Sequence, residues 1–466
     1  MSRSHIVLCF LAVAASLAPA AAQSLQPRSD LELRATYAPV VEATAPAVVN
    51  IYTRRTVRTR SRSLFDDPFF RQFFGDVAPG PTRERVQSSL GSGVIVDADG
   101  VIVTNNHVIE NMDEIRVVLA DRREYEAEVL LTDPQTDLAI LRIEADEPLP
   151  ALRFADSDEA LVGDIVLAIG NPFGVGQTVT SGIVSALSRT NVSVSDFQFF
   201  IQTDAAINPG NSGGALVDVD GDLLGVNTAI YSRSGGSNGI GFAIPGNLVK
   251  RVVSSAVGGD TTVRRPWLGV IGSDVDARIA SAIGLDRPMG ALISQIYPGG
   301  PADRAGLRES DVILAIDGQD VMSGEALRYR PATGEEGDRV ELRYLREGEE
   351  RTARARLAYP PETPGKDETL LEGEHQFSGA TIANLSPALA EELGRSPFDE
   401  GVVILSVQRN SIASRYRLRP GTIIIAVDDR ETDSVDDVER ALRVGALESV
   451  TLKNDRGQTA RYRLTR

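Results

Sequence analysis

The chain has 466 residues, 42% of them apolar, and its 65 acidic against 48 basic side chains leave a net charge of −17. That length suits about three domains, and the acidic balance excludes a general nucleic-acid binder, which needs a basic face for phosphate. The one cysteine, Cys9, lies near the N-terminus, so the rest of the chain has no disulfide, thiolate metal site or cysteine nucleophile.

At the N-terminus, Arg3 precedes an apolar run over residues 6–17, and Ala20-Ala21-Ala22 follows as a small-residue cleavage pattern. This predicts a cleaved signal peptide over residues 1–22 and an exported protein. The run falls short of the roughly 20 residues that span a bilayer. Residues 54–88 combine five arginines (54, 55, 58, 60, 62) with Phe65, Phe69, Phe70, Phe73 and Phe74. The arginines suit a solvated loop; the phenylalanines call for another surface or subunit to pack on.

From residue 91 to 244 the chain alternates short β-branched runs with turn residues such as Asp99-Gly100 and Asp220-Gly221. Frequent turns between short strands predict an antiparallel barrel or sandwich, with one amphipathic helix over 247–257 closing it. Arg264-Arg265-Pro266 marks a linker. Beyond it the sequence repeats: Ala302, Arg304, Leu307, Arg308, Ile313, Ala315 and Asp317 recur as Ala413, Arg415, Leu418, Arg419, Ile424, Ala426 and Asp428, each 111 residues on. Two copies of one module therefore follow the first domain. The expected division is a first domain over 37–258, modules over 266–359 and 377–466, and a proline- and acid-rich linker over 360–376.

The sharpest motif is Asn208-Pro209-Gly210-Asn211-Ser212-Gly213-Gly214-Ala215-Leu216. Glycines around a serine permit a tight turn, leave the hydroxyl unobstructed and let successive N–H groups converge on one point. A plain glycine turn with an incidental serine would look the same in isolation, so the serine needs a base. After residue 22 there are two histidines, and His375 sits in the acidic linker. His107 ends the β-branched stretch Val103-Thr104-Asn105-Asn106 in the same domain as the serine and is the candidate base. For the acid that orients it, Asp133 reads as a turn residue before Pro134, and Asp204 has only its nearness to the serine. Asp137, directly before the apolar run Leu138-Ala139-Ile140-Leu141, is preferred. The order His107, Asp137, Ser212 is that of chymotrypsin-like proteases.

On these residues, together with Gly170-Asn171-Pro172-Phe173-Gly174 and the two modules, the chain resembles the HtrA (high-temperature-requirement, Do/Deg) family of periplasmic serine endoproteases. The resemblance implies a mainly β chain: a trypsin-like double β-barrel followed by two α+β PDZ domains. It implies ATP-independent degradation of misfolded envelope proteins, chaperone activity in some members, a homotrimer or a multiple of one, and no metal or organic cofactor. By position, Gly210 and Ser212 N–H groups form the oxyanion hole, and Ile207, Ile240, Gly241 and Phe242 line a pocket for small aliphatic residues. Arg189 matches the arginine of a regulatory loop, and Tyr37-Ala38-Pro39 a segment that builds the trimer contact.

In the first module, Trp267-Leu268-Gly269-Val270 resembles a loop that captures peptide C-termini. At the 111-residue offset the second offers Ser378-Gly379-Ala380-Thr381, with Arg417 for Gly306 and Thr422 for Asp311, so it is expected to serve assembly. Two other functions stay open: a non-proteolytic PDZ-based chaperone or adaptor, and a membrane-tethered regulatory protease.

Overall fold

A computed structural model of the chain describes residues 36–57, 85–171, 176–189, 199–208, 210–230, 237–443, 447–454 and 457–463. The expected signal peptide, the phenylalanine cluster and most of the arginine run lie outside these residues.

The first sheet is built from β1 (Val48–Val57), β2 (Arg85–Asp97), β3 (Val101–Asn105), β4 (Glu114–Val118), β5 (Glu124–Glu126), β6 (Glu128–Asp133) and β7 (Leu138–Arg142). Its strands lie in the order β5-β4-β1-β2-β3-β7-β6. The second comprises β8 (Ile165–Gly170), β9 (Thr178–Arg189), β10 (Phe200–Thr203), β11 (Ala215–Val217), β12 (Leu223–Ile230) and β13 (Gly241–Pro245). It closes into a barrel in the order β10-β13-β12-β11-β8-β9. The continuous Val/Ile/Leu runs reflect burial on both faces: every residue of β3 and β13 is inside. Each such side chain contributes about 1.5–3 kcal/mol on leaving water. The helix Gly246–Val257 lays Leu248, Val249, Val252 and Ala256 on the core, the single-faced pattern its sequence predicts.

The two modules are matching sheets. In the first, β14 (Val270–Asp274), β15 (Ala291–Ile296), β16 (Val312–Ile316), β18 (Arg339–Arg346) and β19 (Glu349–Arg356) run in that order, with β17 (Gln319–Asp320) paired to β16. In the second, β20 (Thr369–Leu370), β21 (Ala380–Asn384), β22 (Val402–Val407), β23 (Ile423–Val427), β25 (Ser449–Lys453) and β26 (Thr459–Arg463) do the same, with β24 (Arg430–Glu431) on β23.

Two expectations need correction here. Within 360–376, Thr369 and Leu370 form a strand paired to β21, and Leu371 is buried in the second module's core. That part of the stretch is sheet, because an aliphatic Thr-Leu-Leu run finds an open strand edge. The loop alignment is also off by one. Val270 pairs with Ile296 and Ala380 with Val407, a displacement of 110 on the first strand and 111 on the second. The second module has one extra residue between its first and second strands, so its loop is Phe377-Ser378-Gly379-Ala380. The backbone agrees: Gly269 (φ +73°) and Gly379 (φ +88°) both adopt the left-handed turn. At the Gly306 position (φ +82°), Arg417 keeps a left-handed conformation at φ +58°.

The modules dock on the first domain through specific side chains. Tyr329, on the helix Ala326–Ala332, stacks on Phe199 at 3.8 Å, and Arg330 lies 3.7 Å from Asp158. Arg265 forms a buried ion pair with Asp133, while Gln135 donates to the Glu391 carbonyl of the second module.

Candidate active site

His107 stands at the start of a one-turn helix, Asn106–Ile109, directly after β3. Asp137 stands at the turn into β7 with φ +59°, a left-handed conformation that aspartate tolerates better than most residues. The turn is pinned to the histidine turn by its backbone: the Asn106 N–H and Asn105 Nδ2 both donate to the Asp137 carbonyl at 3.0 Å. This fixes the two side chains together. The Asp137 carboxylate accepts His107 Nδ1–H at 2.7 Å and the His107 backbone N–H at 3.0 Å. A third donor, Thr228 Oγ1, reaches Asp137 Oδ2 at 2.8 Å.

The Asp137 side chain is 8% exposed and that of His107 46%. Its three donors offset the cost of burying the carboxylate. With Nδ1 donating to Asp137, Nε2 is the ring nitrogen left to accept a proton.

Ser212 enters from the opposite barrel. Its Oγ donates to the Thr228 carbonyl at 3.1 Å. Thr228 thus links serine and acid, holding one with its backbone and the other with its hydroxyl. The serine turn is anchored to the first sheet through Ser92. The Ser92 N–H donates to the Ser212 carbonyl at 2.9 Å and its hydroxyl to the Gly210 carbonyl at 2.6 Å, while the Asn171 N–H donates to Ser92 Oγ at 2.9 Å. Asn211 and Gly213 direct their amides to Asn208 and Asn227 carbonyls. Among the described residues, no acceptor meets the Gly210 or Ser212 N–H. Gly213 is obligatory, because at φ +82° a Cβ would run into the Ser92 carbonyl and Thr104 Oγ1.

The expected pocket residues are only partly brought together. Ile207 is buried beside Gly241, where an added Cβ would meet Ile207 Cδ1 at 2.7 Å. Phe242, one residue on in β13, points to the other face and packs near Phe200 with ring centroids 6.1 Å apart. Strand alternation removes it from a surface shared with Ile207 and Gly241. Arg189 ends β9 opposite Phe200; its side chain lies outside the described residues. In the first module Leu268 is buried, and the Gly269 carbonyl accepts from Tyr297 N–H at 2.7 Å. Thr228 and Ser92 were missed by the sequence reading: both sit in ordinary strands, with no motif around them.

Residues 91–226 match the trypsin-like peptidase domain family and residues 266–357 the PDZ domain family. The probable periplasmic serine endoprotease DegP-like of Chlamydia pneumoniae is 40% identical over 85% of this chain and 80% of its own length. The periplasmic serine endoprotease DegP of Escherichia coli K12 is 35% identical over 95% of both. The chain belongs to the HtrA family. It is a serine endopeptidase of the periplasm, and the non-proteolytic reading falls away. Among solved structures, the HtrA-type protease AlgW with decapeptide matches with a TM-score of 0.51 and 46% identity, covering 70% of this chain and 99% of that one.

Proposed function

We propose that this HtrA protease cuts unfolded or misfolded envelope proteins through Ser212 as nucleophile, His107 as base and Asp137 as the group that orients and charge-stabilises the imidazole. The 2.7 Å bond from His107 Nδ1 to Asp137 carries the reading, because it holds the imidazole in the tautomer whose Nε2 can accept a proton. In the cycle, Ser212 Oγ turns from the Thr228 carbonyl to Nε2, gives up its proton and attacks the scissile carbonyl carbon. The oxyanion then forms where the free Gly210 and Ser212 N–H groups can donate to it. The imidazolium returns its proton to the leaving amine, and water, deprotonated by the same base, hydrolyses the acyl-enzyme.

No step uses a metal, an organic cofactor or ATP. Ile207 and Gly241 provide an apolar wall without a charge, so cleavage follows valine, alanine or isoleucine; burying an unpaired lysine there would cost several kcal/mol. The remaining assignments belong to the same proposal. They are a signal peptide over 1–22, a protease domain over 37–258 and PDZ domains over 266–359 and 377–466. They also include a trimer-based assembly and capture of peptide C-termini by Leu268, Gly269 and Val270, with Arg189 in a regulatory loop. Mass spectrometry of a digested unfolded protein tests the specificity: a majority of cuts after lysine or arginine would overturn the pocket. N-terminal sequencing of the exported protein tests the leader, with Gln23 as the expected first residue.

A further inference from the structure

A PDZ-type groove binds a peptide by adding it as an antiparallel strand beside one sheet edge, while loop amides take the terminal carboxylate. In the first module the matching edge is β14. Among the described residues, no strand pairs with its outer side. In the second module the equivalent edge, β21, is occupied by the chain itself. Thr369 pairs with Ile382 and Leu370 with Thr381, antiparallel. Upstream, the Asn384 N–H donates to the Lys366 carbonyl at 2.8 Å and Asn384 Nδ2 to the Gly365 carbonyl at 2.9 Å, so the contact runs from residue 365 to 371.

The end of this segment is the informative part. Leu371 donates its N–H to the Ala380 carbonyl at 2.9 Å, and its own carbonyl accepts the Gly379 N–H at 2.8 Å. Gly379 is the left-handed glycine that matches Gly269 in the first module's capture loop. Leu371 therefore has its carbonyl where a peptide carboxylate would sit. Its side chain, 3% exposed, packs in the core cluster that contains Phe377, Ala380 and Ile382. Leu371, Glu372, Ser378, Gly379, Gln408 and Ser411 line a cleft at this end of the segment, and in a free peptide the second carboxylate oxygen takes the place of the Glu372 nitrogen.

We propose that residues 365–371 are a built-in ligand of the second module, with Leu371 in the place of a bound peptide's last residue. When the segment is out, the groove beneath it takes peptide C-termini ending in an aliphatic residue. The proposal rests on the PDZ reading of the repeats given above. A tethered segment competes at an effective concentration of about millimolar, so micromolar external peptide leaves it in place. In the resting chain the second module is closed, and one peptide binds per chain, at the first.

The test uses the full chain carrying Ser212→Ala, to prevent digestion, and a labelled synthetic peptide of residues 365–371 with a free carboxylate. Ser212→Ala alone is expected to bind one peptide per chain, and Ser212→Ala with Leu371→Asp two. The C-terminally amidated peptide should bind the added site at least tenfold more weakly. If Leu371→Asp unfolds the second module, the free-acid peptide should restore its melting transition in trans. An unchanged site count in a folded double variant, or no restoration by millimolar peptide in an unfolded one, overturns the proposal. Equal binding of acid and amide also overturns it, because the segment would then be a plain structural strand. Failure of the first-module reading shows separately, as no binding to Ser212→Ala alone; the gain of one site in the double variant still supports the built-in ligand.

Discussion

Thr228→Val changes one methyl-sized group and removes one hydrogen bond, the 2.8 Å contact from Thr228 Oγ1 to the buried Asp137 carboxylate. The backbone carbonyl that holds Ser212 is untouched. A hydrogen bond to a charged group is worth about 1.5–3 kcal/mol. Asp137 keeps its bonds to His107, so the carboxylate stays paired but loses the donor that fixes its rotation. If that energy is expressed in the orientation of the imidazole, kcat/KM falls by roughly 10- to 150-fold, at about 1.4 kcal/mol per decade. The assay is hydrolysis of a small fluorogenic peptide, with active sites counted by fluorophosphonate labelling. Thr228→Ser, which keeps a hydroxyl, should stay within a few-fold of the wild type. A valine variant within twofold of the wild type would refute the positioning role, as would a serine variant no better than valine.

Ser212→Ala should lower proteolysis by several orders of magnitude while the chain stays folded, because the turn is held by backbone bonds to Ser92 and Asn227; substantial casein cleavage would count against the nucleophile. Gly213→Ala should abolish both labelling and activity, since its Cβ has no space at a left-handed φ, and a soluble, fully labelled variant would contradict this. Phe199→Ala removes the ring stacked on Tyr329 and should weaken docking of the first module by about 3 kcal/mol, seen as an earlier, separate melting transition; an unchanged single transition would contradict it. Burial holds the Glu391 carboxyl above its ordinary range, against the pull of Arg265 and Arg328. The folded state thus takes up this proton more readily than the unfolded chain, and ionisation costs stability as pH rises past the ordinary glutamate range. Glu391→Gln should match or exceed the wild-type Tm at neutral pH, with the wild type regaining ground on acidification; the opposite trend would refute the assignment.

The strands and the site were legible to different depths for physical reasons. Fully buried runs such as those of β3 and β7 announce themselves by composition, as does the amphipathic helix Gly246–Val257. Asp137 could be preferred over its neighbours because it abuts such a run. In the structure Asp133 is spent on Arg265, and Asp204 accepts the Ile183 N–H at 2.7 Å. Thr228 and Ser92 act through position alone: one hydroxyl meets a carboxylate 91 residues away, which no local pattern encodes. The family resemblance brings Phe242 to the pocket together with Gly241, and the two-residue period of a strand sets these neighbours on opposite faces. The one-residue slip in the second loop followed from extending a constant offset across an insertion. Charge and proline marked 360–376 as linker and hid the Thr-Leu-Leu run that joins the sheet.

The sheet edges differ in a way that bears on the company this protein keeps. A strand edge facing water is a template for any extended chain, including an unfolded one. The closed barrel has none. Three other outer strands carry charge: β5 is three residues long with two glutamates, β19 carries Glu349, Glu350, Arg351, Arg354 and Arg356, and β26 carries Arg461 and Arg463. The edge β14 reads Val-Ile-Gly-Ser-Asp, with a single charge at its far end. Among the described residues, incoming backbone thus meets charge on β5, β19 and β26 and a closed ring in the barrel, whereas β14 offers a short and nearly uncharged strand to pair along. A protease can then handle aggregation-prone chains without being drawn into the aggregate.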